Sequence, residues 1–293
     1  MNSYYELPLL KKPVWTWEVP AYFAIGGAAG VAAMIGVASR DARLTRDARR
    51  MAAIGAVVSG PLLIADLGRP ERFIYMLRVF KPQSPMSVGA WILTAFGATS
   101  TAAAILPGAL ADIAAVGSAA SGLGMATYTG VLLGATSIPV WAKHAGVVPA
   151  HFGASATSAA IAALELRGHR SAALNNIGIV AAAVETAMGA RVELTHDRES
   201  APLRTPLTRI GGVLSGPVPL LLRLFGARSN KTRRLAAASA IAGSLLTRMA
   251  WIAAGRESAR LSGRDTSGRR DAVGERARAG QHSDREPDTR RQQ

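Results

Sequence analysis

Five ionisable or phenolic side chains stand inside or at the edge of long apolar runs, where charge is costly and polar groups by default mark function. Glu185 interrupts GIVAAAVETAMGA, Arg248 interrupts AGSLLTRMAWIAAG, Asp66 closes AVVSGPLLIAD, Glu18 opens EVPAYFAIGG, and Tyr128 sits in GMATYTGVLLG. Carboxylates in such settings are the residue type that relays protons to an apolar site, which makes Asp66 and Glu185 the candidate proton carriers. Arg248 is expected at a depth similar to Glu185, so the two are candidates for an ion pair. Tyr128, nearer the midplane, reads from its surroundings as a helix-packing tyrosine. His144 and His151 are seven residues apart. At ~1.5 Å per residue that spacing is too long for both to ligate one haem iron.

The elements that must hold these residues are membrane spans. Nearly half of the 293 residues are hydrophobic, and they are bunched into long segments instead of spread at helical period. Eight spans are expected, over 18–39, 50–67, 86–106, 115–141, 148–166, 171–190, 209–227 and 233–255. Glycine and alanine are abundant within them, allowing close helix approach where apolar burial gives no drive for association. With eight spans both termini share one face, called here the terminal face, and all the polar residues above fall in its half of the membrane. The opposite half is expected to be nearly bare of ionisable groups until its basic loops begin. Residues 1–255 form a polytopic membrane domain in this reading. Residues 256–293 lack bulky apolar side chains and are expected to be a disordered polar tail.

The formal charge of +15 does not imply nucleic acid, because the basic residues gather in short loops and the tail, as membrane topology predicts. Lys and Arg number 11 on the terminal face and 12 on the other, apart from the tail, which leaves orientation open. The absence of cysteine excludes disulfides and Cys-ligated clusters within this chain. The opening MNSYYELPLLKKPVW lacks the order of a cleavable signal, so the first span is expected to persist. One loop is longer than a turn needs: DLGRPERFIYMLRVFKPQSPMSVGAW, residues 66–91, mixes Asp66, Arg69, Arg72 and Lys81 with Phe73, Tyr75 and Phe80. Its composition suits a surface loop offered to another molecule.

DLGRPERF, PQSPMSVGAW and YTGVLLGATSIPVW, with WTWEVPAYFAIGGAAG and LLTRMAWIAAGRESA at the first and last spans, resemble the NrfD-like family that includes the polysulfide reductase membrane subunit. The resemblance covers roughly residues 14–259. It implies an all-α protein of eight helices in two four-helix bundles, in the bacterial plasma membrane, with no redox centre of its own. It implies a quinone or quinol (menaquinone or ubiquinone) bound near the face where an iron–sulfur subunit docks. That subunit in turn connects to a catalytic chain, often a molybdopterin enzyme. By the family pattern the quinone pocket would use Glu18 or Tyr22 in the first span and Tyr128 in the fourth, and the Asp66–Arg69 loop would line the pocket or the docking surface; Arg248 is a further candidate for the pocket. The second reading, from the intramembrane Glu and Arg, is an ion- or proton-translocating protein, which broken spans in matching positions of two halves would favour.

Overall fold

In the computed structural model, residues 13–226 and 229–283 are described, with side chains as far as Ser262. Every regular element among them is helical: α1 (Glu18–Ala38), α2 (Ala42–Asp66), α3 (Glu71–Arg78), α4 (Pro85–Ile105), α5 (Gly108–Gly134), α6 (Pro139–Lys143), α7 (Val148–Leu166), α8 (Ala172–Leu194), a 3-10 turn (Arg198–Leu203), α9 (Pro206–Ser215), α10 (Pro217–Gly226) and α11 (Asn230–Ser283).

Short polar residues set the starts. Asp41 accepts from the Arg43 and Leu44 amides and opens α2. Ser84 with Pro85 opens α4, Ser171 opens α8, and Thr205 with Pro206 opens α9. Gly68, at φ +68°, turns the chain out of α2. Two packing groups result: α1, α2, α4 and α5 on one side, and α7 to α11 on the other, with α1 touching α7 and α11 across the seam. Where α1 crosses α5, the backbones of Gly30 and Gly122 meet so closely that a Cβ on Gly30 would lie 2.3 Å from the Gly122 carbonyl.

Among the described residues, five helices are long and apolar enough to cross a membrane: α1, α2, α4, α5 and the Asn230–Ser262 part of α11. Helices α7 and α8 have the length, 19 and 23 residues, but carry more polar side chains. The expected seventh span is broken: Gly216 and Pro217 split it into two ten-residue helices, since Pro217 brings no amide hydrogen to continue the ladder. The expected fourth span is shifted, starting at Gly108 and stopping at Gly134, with Pro139 starting the separate α6. The basic stretch 40–50, expected as a loop, instead makes the first turns of α2, and α3 occupies part of the long 66–91 loop. Nor does the chain lose its helix at 255. Ser258 and Ala259 are buried, and the Ser258 hydroxyl accepts from the Val140 amide at 3.3 Å. Of the expected disordered tail, residues 284–293 lie outside the described residues, as do Lys11 and Lys12.

The opposite half is not bare. Glu165, 4% exposed, receives both terminal nitrogens of Arg223 at 3.0 and 2.8 Å and Arg233 at 2.5 Å. This cluster ties α7, α10 and α11 together. Gly178 on α8 makes the room, for a Cβ there would stand 2.7 Å from the Arg223 guanidinium. Nearby, Asp47 accepts from His169 at 2.8 Å and Arg167 at 3.3 Å, fastening α2 to the α7–α8 turn. The sequence pattern hid these pairs because each partner lies at the end of an apolar run, where a lone charge reads as a loop residue.

Candidate functional site

Helix α7 presents His151, Ser155 and Ser158 at i, i+4 and i+7, a polar stripe along one side. Helix α11 answers with Ser244, Thr247, Arg248 and Trp251. Arg248 is fully buried, and both of its terminal nitrogens are bonded while Nε has no partner: Nη1 donates to Ser155 Oγ at 2.9 Å, Ser244 Oγ at 2.6 Å and the Ser244 carbonyl at 3.0 Å. Nη2 reaches the Phe152 carbonyl at 3.2 Å, and the guanidinium lies 5.0 Å over the Phe152 ring. The expected ion pair with Glu185 is therefore not made. Arg248 fixes α11 to α7, and Glu185 only feels its charge.

Glu185 on α8 is 2% exposed, and neither carboxyl oxygen has a hydrogen-bond partner. The hydroxyls of Ser158, Ser215 and Ser155 surround it without reaching bonding geometry. His151, 4% exposed, leaves both ring nitrogens unbonded, and the Thr247 hydroxyl is likewise free. All three face one cavity of about 380 Å³, whose walls are mostly apolar and include Val192, Val213, Ala250 and Trp251. Its outer end carries Arg209 and Glu193, bridged at 2.9 Å. The break between α9 and α10 falls beside it, with Pro217 in the wall and Gly216 pressed against Thr186. A buried acid, a buried imidazole and a hydroxyl, all uncommitted, thus converge on an apolar space of the size that takes small molecules.

Trp251, in the wall of this space, also touches two histidines. His151 meets its ring edge-on at 6.4 Å and His144 does so at 5.6 Å. His144 shares a hydrogen bond with Ser200 at 3.0 Å. Burial, with Lys143 and Arg191 next in order, pushes the His144 imidazole below the usual histidine range. At the surface beside it, Lys143 bridges Asp197 at 2.9 Å, which raises the lysine and lowers the aspartate.

The remaining expected site residues form a separate group on α1, α2 and α5. Tyr22 is 2% exposed and lies within electrostatic reach of Tyr128. The Tyr128 hydroxyl donates to the Pro85 carbonyl, its ring against Gly89. Glu18 accepts from the Thr16 hydroxyl, while the Thr16 amide reaches Asp66 at 3.4 Å. Asp66 makes no ion pair with Arg69 among the described residues, and Arg69 is exposed. The structure thus groups Glu18 with Asp66 and Tyr22 with Tyr128, while Glu185 and Arg248 stand in the other half. His151 lines the same cavity as Glu185. Its spacing to Ser155 and Ser158 was the available signal.

A family model described as polysulfide reductase, NrfD_2, matches residues 1–262. The chain belongs to the NrfD-like polysulfide reductase family. The match takes in both packing groups and ends where the described side chains end. Membership in this NrfD-like family, with five helices able to cross a bilayer, makes the protein an integral membrane protein of the kind that serves oxidoreductase complexes as their membrane subunit. No curated protein matches this NrfD-like chain.

Proposed function

We propose that this chain is the quinone- or quinol-binding membrane subunit of a multi-subunit oxidoreductase of the bacterial plasma membrane. In this reading it crosses the bilayer eight times, with α7, α8 and the broken α9–α10 pair completing the five apolar helices into two four-helix bundles. An iron–sulfur subunit docks on the terminal face and exchanges electrons with a catalytic, molybdopterin-type subunit.

One observation carries the proposal: Glu185 and His151, both buried and both without internal partners, share an apolar cavity. A bound quinone supplies two-electron, two-proton redox chemistry. The protein's task is then to orient a flat ring and move protons to its two oxygens. Trp251 and Val213 offer a flat apolar surface, Thr247 and His151 supply hydrogen bonds, and Glu185 carries the proton. Arg248, locked by Ser155 and Ser244, holds α7 and α11 at the spacing the cavity requires and adds a fixed positive charge. On the α1–α5 side, Asp66 serves as the second proton carrier, and Glu18 and Arg69 near the terminal face, with Tyr22 and Tyr128 deeper, line the route to the docked subunit. Tyr128 must release Pro85 to bind a ligand itself.

The α9–α10 break beside Glu185 favours one second reading, an ion- or proton-translocating role, since discontinuous helices flank ion sites in transporters. The matching span of the other half, α4, is unbroken over its 21 residues, so the pattern of paired breaks is not met.

Mild-detergent purification of tagged protein from its native membrane, followed by mass spectrometry and solvent extraction, tests the proposal. Recovery of a cysteine-rich iron–sulfur chain and a stoichiometric quinone is expected. A colourless, quinone-free single chain, from membranes that express such partners, would contradict it.

A further inference from the structure

Away from that cavity, a slot of about 610 Å³ runs along the seam between the two packing groups, between α1, α2, α7 and α11. Its walls are small or aliphatic: Ala21 and Ala28 from α1, Ile54 from α2, Ala163 from α7 and Leu245 from α11. On α1 the lining runs from Ala21 to Ala29 and on α7 from Ala159 to Arg167, each about 12 Å of helix. Its charges lie at one end, where Arg50 and Arg167 stand near the opposite face.

Arg50 is exposed and makes no hydrogen bond or ion pair among the described residues. Arg167 is held at 3.3 Å by Asp47, whose other oxygen is taken by His169. On the far flank of Arg50 lies a second cavity of about 460 Å³, lined by Arg40, Arg46 and Arg49 and by Asp112, which Arg49 already engages at 2.7 Å. Arginines therefore outnumber the nearby carboxylates, and those carboxylates are occupied.

We propose that the slot is a phospholipid site, taking one acyl chain of an anionic phospholipid along the α1–α2–α7–α11 seam with its phosphate between Arg50 and Arg167. Guanidinium groups bind phosphate oxygens in a planar fork, which a quinone ring cannot offer, and the surplus of arginines disfavours a zwitterionic headgroup that brings its own cation. The aliphatic walls match an acyl chain and offer a polar headgroup nothing along most of their length. Such a lipid would fill the seam that direct side-chain contacts leave open, joining the two halves. The site shares no residue with the Glu185 cavity, so it stands or falls apart from the quinone reading.

Native mass spectrometry of the full chain, equilibrated in mixed micelles of phosphatidylglycerol and phosphatidylcholine, tests it. The wild-type protein should retain phosphatidylglycerol in preference to phosphatidylcholine. Arg50→Gln and Arg167→Gln should each lower that retention about fivefold, and Ala163→Trp, which fills the slot but keeps the charges, should abolish it. Thermal unfolding in micelles checks that each variant is folded. Equal retention of the two lipids, unchanged retention in both arginine variants, or a neutral quinone held where Ala163→Trp removes it would each overturn the assignment.

Discussion

Two buried glutamates, twenty residues apart in sequence, occupy opposite conditions. Glu165 is 4% exposed and receives three hydrogen bonds from two arginines, while Glu185 is 2% exposed and receives none. Burial alone therefore does not separate a structural carboxylate from a candidate proton carrier. Satisfaction does. An acid locked between Arg223 and Arg233 has three of its about four lone-pair sites already taken. An acid on a cavity beside an unbonded imidazole has none of them taken.

That contrast is easiest to break at Glu165. Replacing it with Ala strands two arginines, one of them almost wholly buried, and should cost about 3–5 kcal/mol. The loss is read as a lower unfolding temperature in detergent or failure to accumulate in the membrane. Glu185→Gln should do the reverse: quinol-linked turnover of the assembled complex falls by about 10²-fold or more, while the unfolding temperature holds or rises. A smaller effect is expected at Gly178→Ala, where the new methyl collides with Arg223; about 1–3 kcal/mol should be lost, and Glu165→Gln combined with it should show non-additivity.

The smallest effect concerns pH. Because the folded protein holds His144 below the usual histidine value of about 6.5, the unfolded chain binds the proton more readily. Stability is then full above that value and declines as the pH falls through the folded protein's lower one. His144→Gln should flatten the decline in a series of thermal scans, and an unchanged slope would assign the decline to other groups.

Much of the architecture was legible in the sequence because apolar runs of about twenty residues have few alternatives to membrane helices. The breaks were less so. Gly216-Pro217 was visible as a dipeptide, yet the apolar residues on both sides, Val213, Leu214 and Leu220 to Leu222, read through it as one span. Glu185 and Arg248 were legible as ionisable residues inside apolar runs, and their pairing was the natural guess from their positions along the helices. Depth along a helix says nothing of azimuth, however, and Arg248 turns to Ser155 on α7 instead. Glu165 and Arg223 were hidden for the related reason that partners 58 residues apart leave no local pattern. The polar stripe His151–Ser155–Ser158 was written at helical spacing and needed only to be read together with Glu185.

The most direct measurement is a titration of a quinol analogue against the purified complex, comparing wild type with Glu185→Gln and His151→Gln at matched thermal stability. Binding weakened at least about tenfold in both variants, with Tyr128→Phe closer to wild type, is the result expected if the α7–α8–α11 cavity holds the ring. Unchanged affinity in both, with loss in Tyr128→Phe, would place the quinone on the α1–α5 side and contradict the account.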